Sequence, residues 1–149
     1  MNSNYETLLD LIIKAEVEGK PKHELILDIC DTPDCLLAAG LEQRRIVLPA
    51  RVVGKIYFDH GITKGVIQRL PDLICNARAV FSSSTTTGNV VVLTLENKGV
   101  DPIIVAIQKD WDYGRTMAHK VASMYGKQGP DPEKKWTAEG LLLWSKPQK

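Results

Sequence analysis

The side chains able to do chemistry fall into two stretches. In "KIYFDHGITKG", His60 stands five residues after Lys55 and four before Lys64. In "SMYGK", Ser123, Tyr125 and Lys127 alternate, which on a strand would place them on one face of a sheet. Further off lie Ser82 and Ser83 in "FSSSTTTG" and Arg115 in "DYGRT". Histidine titrates near neutrality and can take or return a proton. Lysine and arginine neutralise developing negative charge, and hydroxyls hold phosphate oxygens. Such a set suits cleavage of a phosphodiester that brings its own nucleophile, as RNA does with its 2′-hydroxyl. That chemistry calls for no metal and no cofactor.

Each candidate also has a plainer reading. A histidine at a helix C-terminus is favoured by the macrodipole, so His60 can be a cap. Lys55 lies well round the helix from a residue five positions on, so the two converge only if His60 falls past the helix end. Lys64 and Arg115 can be solvated surface cations, "SSSTTTG" a long hairpin turn, and Tyr125 an edge aromatic. His119 is a weaker second histidine, in a segment that reads as helix or strand, and His23 lies in the acidic N-terminal part. Trp111, Trp136 and Trp144 can stack on bases or fill the core.

The elements that must position these groups change character along the chain. Ser3 and Glu6 form a capping-box pair, and Tyr5, Leu8, Leu9, Ile12 and Ile13 then recur at helical spacing until Gly19 and Pro21. "HELILDI" is a short strand or helix. "DTPDCLLAAG" predicts a helix with Thr32 as N-cap, Pro33 first and Gly40 as the stop. "RRIVLP" predicts a strand, and 50–59 a helix that Gly61 ends in a left-handed conformation. Thr63 caps the next helix, which Pro71 closes or redirects. "ARAVFSS", "NVVVLTLEN" and "DPIIVAIQKD" are β-rich runs separated by turn-formers, and point to an antiparallel meander. The second half of "TMAHKVASMYGK" leans to a strand with His119, Val121, Ser123 and Tyr125 on one face. "LLLWSK" suggests a last strand. The expected class is α+β, with the helices first.

Bulk properties bound the options. The chain has 149 residues and a net charge of +1, enough for one domain with its own core. Residues 1–49 carry five Lys/Arg against nine Asp/Glu, and the remainder fourteen against nine. A basic C-terminal part is a hint of a polyanion-facing surface. Cys30, Cys35 and Cys75 are an odd set, which argues for buried free thiols over disulfides. No apolar run reaches the ~18 residues of a membrane span, and nothing reads as a signal peptide, so a cytoplasmic protein without a membrane partner is expected. No G-x-G-x-x-G, P-loop, H-E-x-x-H or G-x-S-x-G is present.

Six segments in order, "DTPDCLLAAG", "IVLPARVVGKIYFDHGI", "LPDLICNARAVFSS", "NVVVLTLENKGVDPIIVAI", "VASMYGK" and "GLLLWSK", resemble the phage MuF C-terminal domain. The resemblance covers residues 25–146, leaving 1–24 as an N-terminal helix or adaptor of a single 1–149 domain. It implies membership of the barnase/EndoU/colicin/RelE-like (BECR) nucleases, with helices packed on a four-stranded antiparallel β-sheet. It also implies metal-independent cleavage of tRNA, mRNA or rRNA by a toxin or phage-borne effector, with an immunity protein as a further partner. Carried over by position, the catalytic set is His60, Lys55, Ser123 and Tyr125. Lys64, Ser83, Arg115 and Lys127 are the expected phosphate ligands. Two other readings are a non-catalytic phage or effector module that binds RNA or protein, and an ADP-ribosyltransferase. The latter is suggested by "FSSSTTTG" and opposed by the lack of a downstream E-x-E.

Overall fold

The computed structural model describes residues 3–147. Helix α1 (Ser3–Val17) buries Tyr5, Leu9, Ile12 and Ile13, the apolar stripe of the sequence. The expected Ser3–Glu6 cap involves a side chain, that of Ser3, outside the described residues. Then follow β1 (Ile26–Asp31), α2 (Asp34–Ala38) and β2 (Arg45–Pro49). Pro33, not Thr32, is the residue before α2, and no side chain caps that helix. Thr32 is buried instead. Its hydroxyl donates to the Arg44 carbonyl (2.7 Å) and accepts from the Arg44 amide (3.0 Å), clamping the β1–β2 connection.

Helix α3 (Ala50–Gly54) runs straight into a π-helical turn over Lys55–Asp59. Helices α4 (Lys64–Gln68) and α5 (Leu70–Cys75) follow. Thr63 caps α4 as expected, its hydroxyl accepting from the Val66 amide. Pro71 sits in the first turn of α5, where its missing N–H costs nothing. The β-rich remainder comprises β3 (Ala79–Ser82), β4 (Asn89–Lys98), β5 (Asp101–Tyr113) and β6 (Thr116–Gly126), then α6 (Pro132–Ala138) and β7 (Leu142–Ser145). The whole of "TMAHKVASMYG" is strand, because it completes a long hairpin with β5.

The expected four-stranded antiparallel sheet is in fact seven-stranded and mixed, in the order β1-β2-β6-β5-β4-β3-β7. The run β6-β5-β4-β3 is the antiparallel meander. β1 and β2 extend it on one side, where β2 lies parallel to β6, and β7 extends it on the other. The β2–β6 and β3–β7 pairings that attach these additions join segments distant in sequence, which periodicity alone does not reveal.

Alternation along the strands separates two apolar layers. Val80, Val90, Val92, Ile103, Val105 and Ile107 face the larger one, shared with Leu9, Ile12, Val53, Ile56, Ile67 and Ile74 of the helices. Ala79, Phe81, Val91, Leu93 and Ile104 face the other, closed by Trp136 of α6 with its ring edge-on to Phe81 at 5.4 Å. Residues of α1 therefore belong to the same core as the sheet. The thiols are free: Cys35 is buried, Cys30 half-buried and, against expectation, Cys75 is exposed. Among the described residues no helix is long and apolar enough to cross a membrane.

Candidate active site

Two irregularities of backbone build the site. The first is the π turn. His60 N–H donates to the Lys55 carbonyl (3.0 Å), five residues back, and Ile62 N–H to the Ile56 carbonyl (3.1 Å). Gly61, at φ +64°, makes this reversal, and buried Ile56 and Ile62 accompany it. A side chain with a Cβ resists that left-handed conformation, so glycine ends the helix there. His60 is thus the C-cap residue itself. π turns are rare and concentrate at functional sites.

The second is a bulge in β6. Ala106 opposes Ser123 and Ile107 opposes Val121, so Ala122 is the extra residue. Without it Val121, Ser123 and Tyr125 would share one face, as strict alternation predicts. With it, Val121 and Met124 both enter the helix-side core. Ser123 and Tyr125 are turned away from that core, and Tyr125 packs beside the second layer.

The two devices meet where β2 ends. β2 pairs with β6 only at Ile46–His119 and Val47–Lys120, so Val121–Gly126 lies beyond its reach. The chain leaving β2 through α3 and the π turn brings His60 there. His60 Nε2 lies 3.5 Å from Ser123 Oγ, at the long limit of a hydrogen bond, and which atom donates depends on the tautomer. The imidazole and the Tyr125 ring have centroids 5.4 Å apart at an interplanar angle of 37°. All three residues are half-buried, able to meet a ligand while held by packing.

The other expected residues are distributed unevenly. Lys127 follows directly, its amide donating to the Pro102 carbonyl (2.8 Å) and its ammonium to the Gln128 carbonyl (3.5 Å). Lys55 is joined to His60 through the backbone, but its side chain lines a groove of about 280 Å³ with Glu16, His23, Arg51 and Phe58. Lys64 is ion-paired with Asp10 of α1 at 3.0 Å. Ser83 is occupied in its own turn, accepting from the amides of Thr85 and Thr86. It stands three strands from Tyr125 at the other end of the ladder, about 20 Å by strand spacing and rise. Arg115 sits in the β5–β6 turn, about 25 Å along the strand from Ser123.

His119, the other histidine candidate, is fully buried. Its Nδ1 accepts from the Asp110 amide (3.2 Å) and its Nε2–H donates to the Glu42 carbonyl (2.8 Å), which makes it a structural tie. It secures Asp110, the one non-glycine residue with positive φ (+54°) among those described. Of the tryptophans, Trp136 is core, Trp144 packs against the main core, and Trp111 stacks on Tyr113 beneath the Lys120 ammonium.

A lysine overlooked in the sequence reading lies against the site. Lys98 Nζ is 3.2 Å from where a Cβ on Gly61 would stand, and its own Cβ is 3.2 Å from a Cβ on Gly126. A side chain at either glycine would crowd it by a few tenths of an ångström. Its position depends on a bulge in β4 between Leu93 and Asn97. There the buried Thr94 hydroxyl donates to the Ile103 carbonyl (2.7 Å) and accepts from the Glu96 amide (3.1 Å). "ENKG" looks like an ordinary turn, and no periodicity could expose this reach.

Of the acidic spacings Asp28–Asp31–Asp34 and Asp110–Asp112, Asp28 and Asp31 hold Arg45 and Asp110 holds Arg44. Among the described residues no three His, Cys, Asp or Glu side chains converge as metal ligands. A cavity of about 540 Å³ lies between α1, β1 and α5, lined by Tyr5, Cys30, Arg45 and Arg69. It is remote from His60, and its arginines are already paired with acids. Burial pushes the Cys30 thiol up to about 12, so it stays protonated there at neutral pH.

Fold and site define an α+β domain with a polar cluster at a sheet margin, assembled from a helix end and a bulged strand. Residues 53–149 match the family model of the phage MuF C-terminal domain, and the chain belongs to that family. The match contains His60, Lys98, Ser123 and Tyr125 and begins inside α3. No curated protein and no solved structure matches the chain.

Proposed function

We propose that the protein is a metal-independent endoribonuclease of BECR type, acting as a toxin or phage-associated effector, with His60, Ser123 and Tyr125 at its centre. One observation carries the reading: an imidazole 63 residues away in sequence faces the Ser123 hydroxyl beside a phenol, within the family-matched part of the chain. In the reaction the RNA 2′-oxygen forms a bond to the adjacent phosphorus as the bond to the 5′-oxygen breaks. The 2′-hydroxyl gives up a proton and the leaving oxygen takes one. His60 serves one of these transfers and water the other. The hydroxyls of Ser123 and Tyr125 hold non-bridging oxygens, and Lys127 adds positive charge nearby. The proposed centre leaves out Lys64 and Ser83, which are engaged elsewhere, Arg115 in the far turn, and Lys55, which lines the groove with Glu16. The products are a 2′,3′-cyclic phosphate and a 5′-hydroxyl, and DNA is spared.

The test is incubation of purified protein with total RNA in EDTA, followed by detection of cyclic-phosphate ends. Cleavage that disappears in His60→Ala is the expected result. Full cleavage by His60→Ala removes the centre of the proposal. Tight binding with the RNA left intact would favour the non-catalytic module instead.

A further inference from the structure

We infer that Lys98 is the phosphate-binding cation of this site, delivered through a slot that Gly126 and Gly61 leave open. The inference rests on the nuclease reading for its substrate, but the anion site it describes stands on geometry alone. Three observations lead to it. The Lys98 side chain lies along Gly126, with contacts of 3.2 and 3.5 Å to a Cβ placed there, and ends with Nζ 3.2 Å from one on Gly61. Gly61 directly follows His60, so the ammonium arrives at the backbone bearing the imidazole. And the ammonium, unlike that of Lys64, which Asp10 holds, makes no ion pair among the described residues, a property it shares with Lys55 and Lys127. Lys98 is exposed, and its ammonium, ending at the backbone that follows the histidine, is open to receive an anion's oxygens.

Lys98 thereby supplies what Lys55 and Lys64 were expected to supply. On the phosphodiester its ammonium would lie against a non-bridging oxygen, which gains negative charge as the pentacoordinate phosphorus forms. A cation there lowers the barrier more than it tightens ground-state binding. The glycines are part of the device. Gly126 has no positive φ, but a methyl at that position presses on Lys98 Cβ at 3.2 Å and Asp101 Cβ at 3.3 Å, atoms fixed to the backbone, so the hairpin end and the lysine it carries shift by a few tenths of an ångström.

The experiment compares wild type, Lys98→Ala, Lys98→Arg and Gly126→Ala by RNA cleavage and by NMR titration of the His60 ring with inorganic phosphate. Lys98→Ala is expected to lose on the order of 10²-fold in kcat with its thermal midpoint unchanged, Lys98→Arg to recover part of it, and Gly126→Ala to fall between. Wild-type His60 resonances should shift with phosphate and those of Lys98→Ala should not. If Lys98→Ala cleaves like wild type while His60→Ala is inactive, the nuclease reading stands and the assignment of Lys98 falls. If wild type cleaves no RNA, the nuclease reading falls and the titration alone decides. A phosphate response retained in Lys98→Ala, or absent from wild type, overturns the anion site.

Discussion

Replacing His119 and His60 one at a time should produce opposite phenotypes. His119 is fully buried with both ring nitrogens engaged, by the Asp110 amide at 3.2 Å and the Glu42 carbonyl at 2.8 Å. His119→Leu is close in volume but leaves a donor and an acceptor unsatisfied at about 1–3 kcal/mol each. The loss should therefore be about 2–6 kcal/mol. At about 2–4 °C per kcal/mol for a chain of this size, the melting temperature falls by roughly 4–24 °C. His60 is half-exposed, its ring makes one long hydrogen bond and one contact with the Tyr125 ring, and the turn around it is held by backbone bonds and Gly61. His60→Ala should stay within about 1 kcal/mol of wild type. Thermal and urea denaturation followed by circular dichroism gives the stabilities. RNA cleavage per folded molecule gives the activities, well below each melting point. His119→Leu should keep its specific activity and His60→Ala lose it. A His119→Leu protein as stable as wild type would refute the assignment of His119 as a buried tie. A His60→Ala protein with intact stability and intact cleavage would refute the site.

Other outcomes follow from the same structure. Asp131→Ala removes the side chain that accepts from the Glu133 amide at 3.0 Å at the start of α6, and should cost about 1 kcal/mol in denaturant midpoint experiments. Trp136→Ala opens the layer beneath α6 and should cost about 3–5 kcal/mol by the same measurement. The Arg69 guanidinium holds the Glu96 carboxyl below its usual range. That contribution is complete above the unfolded carboxylate range and is lost as pH falls through the lowered folded value. Both partners are substantially solvated, so the difference between wild type and Glu96→Gln should be at most about 1 kcal/mol at pH 7, smaller in high salt, and should vanish in acid. Burial holds the protons of Cys30 and Tyr5 above their ordinary ranges. The unfolded chain releases those protons first, so stability measured by urea melts should decline as pH rises above about 9, and less steeply in Cys30→Ala.

What could be read from residues alone was whatever depends on local pattern. The stripe of α1, the Thr63 cap, the Gly61 stop and the β-rich meander each follow from spacing and from backbone preferences that a few neighbouring residues impose. His60, Ser123 and Tyr125 were legible as residues able to move protons and hold phosphate, because that depends on side-chain type. Their meeting was not legible. It needs β2 to stop short on β6, the π turn to set where His60 emerges, and Ala122 to bulge so that Ser123 and Tyr125 turn away from the core. The end of β2 on β6 and the Ala122 bulge are outcomes of pairing between separate strands, and the π turn is a break in local helical bonding that accompanies burial of Ile56 and Ile62. The same holds for the cations. Lys64 was chosen by proximity in sequence and is tied to Asp10, whereas Lys98 comes from a turn 38 residues beyond His60. Sequence determined which chemistry the chain has available. Only tertiary packing decided which lysine comes up against the glycine that follows the histidine, because the chain brings the end of β4 alongside Gly126 and Gly61, where no side chain stands in its way.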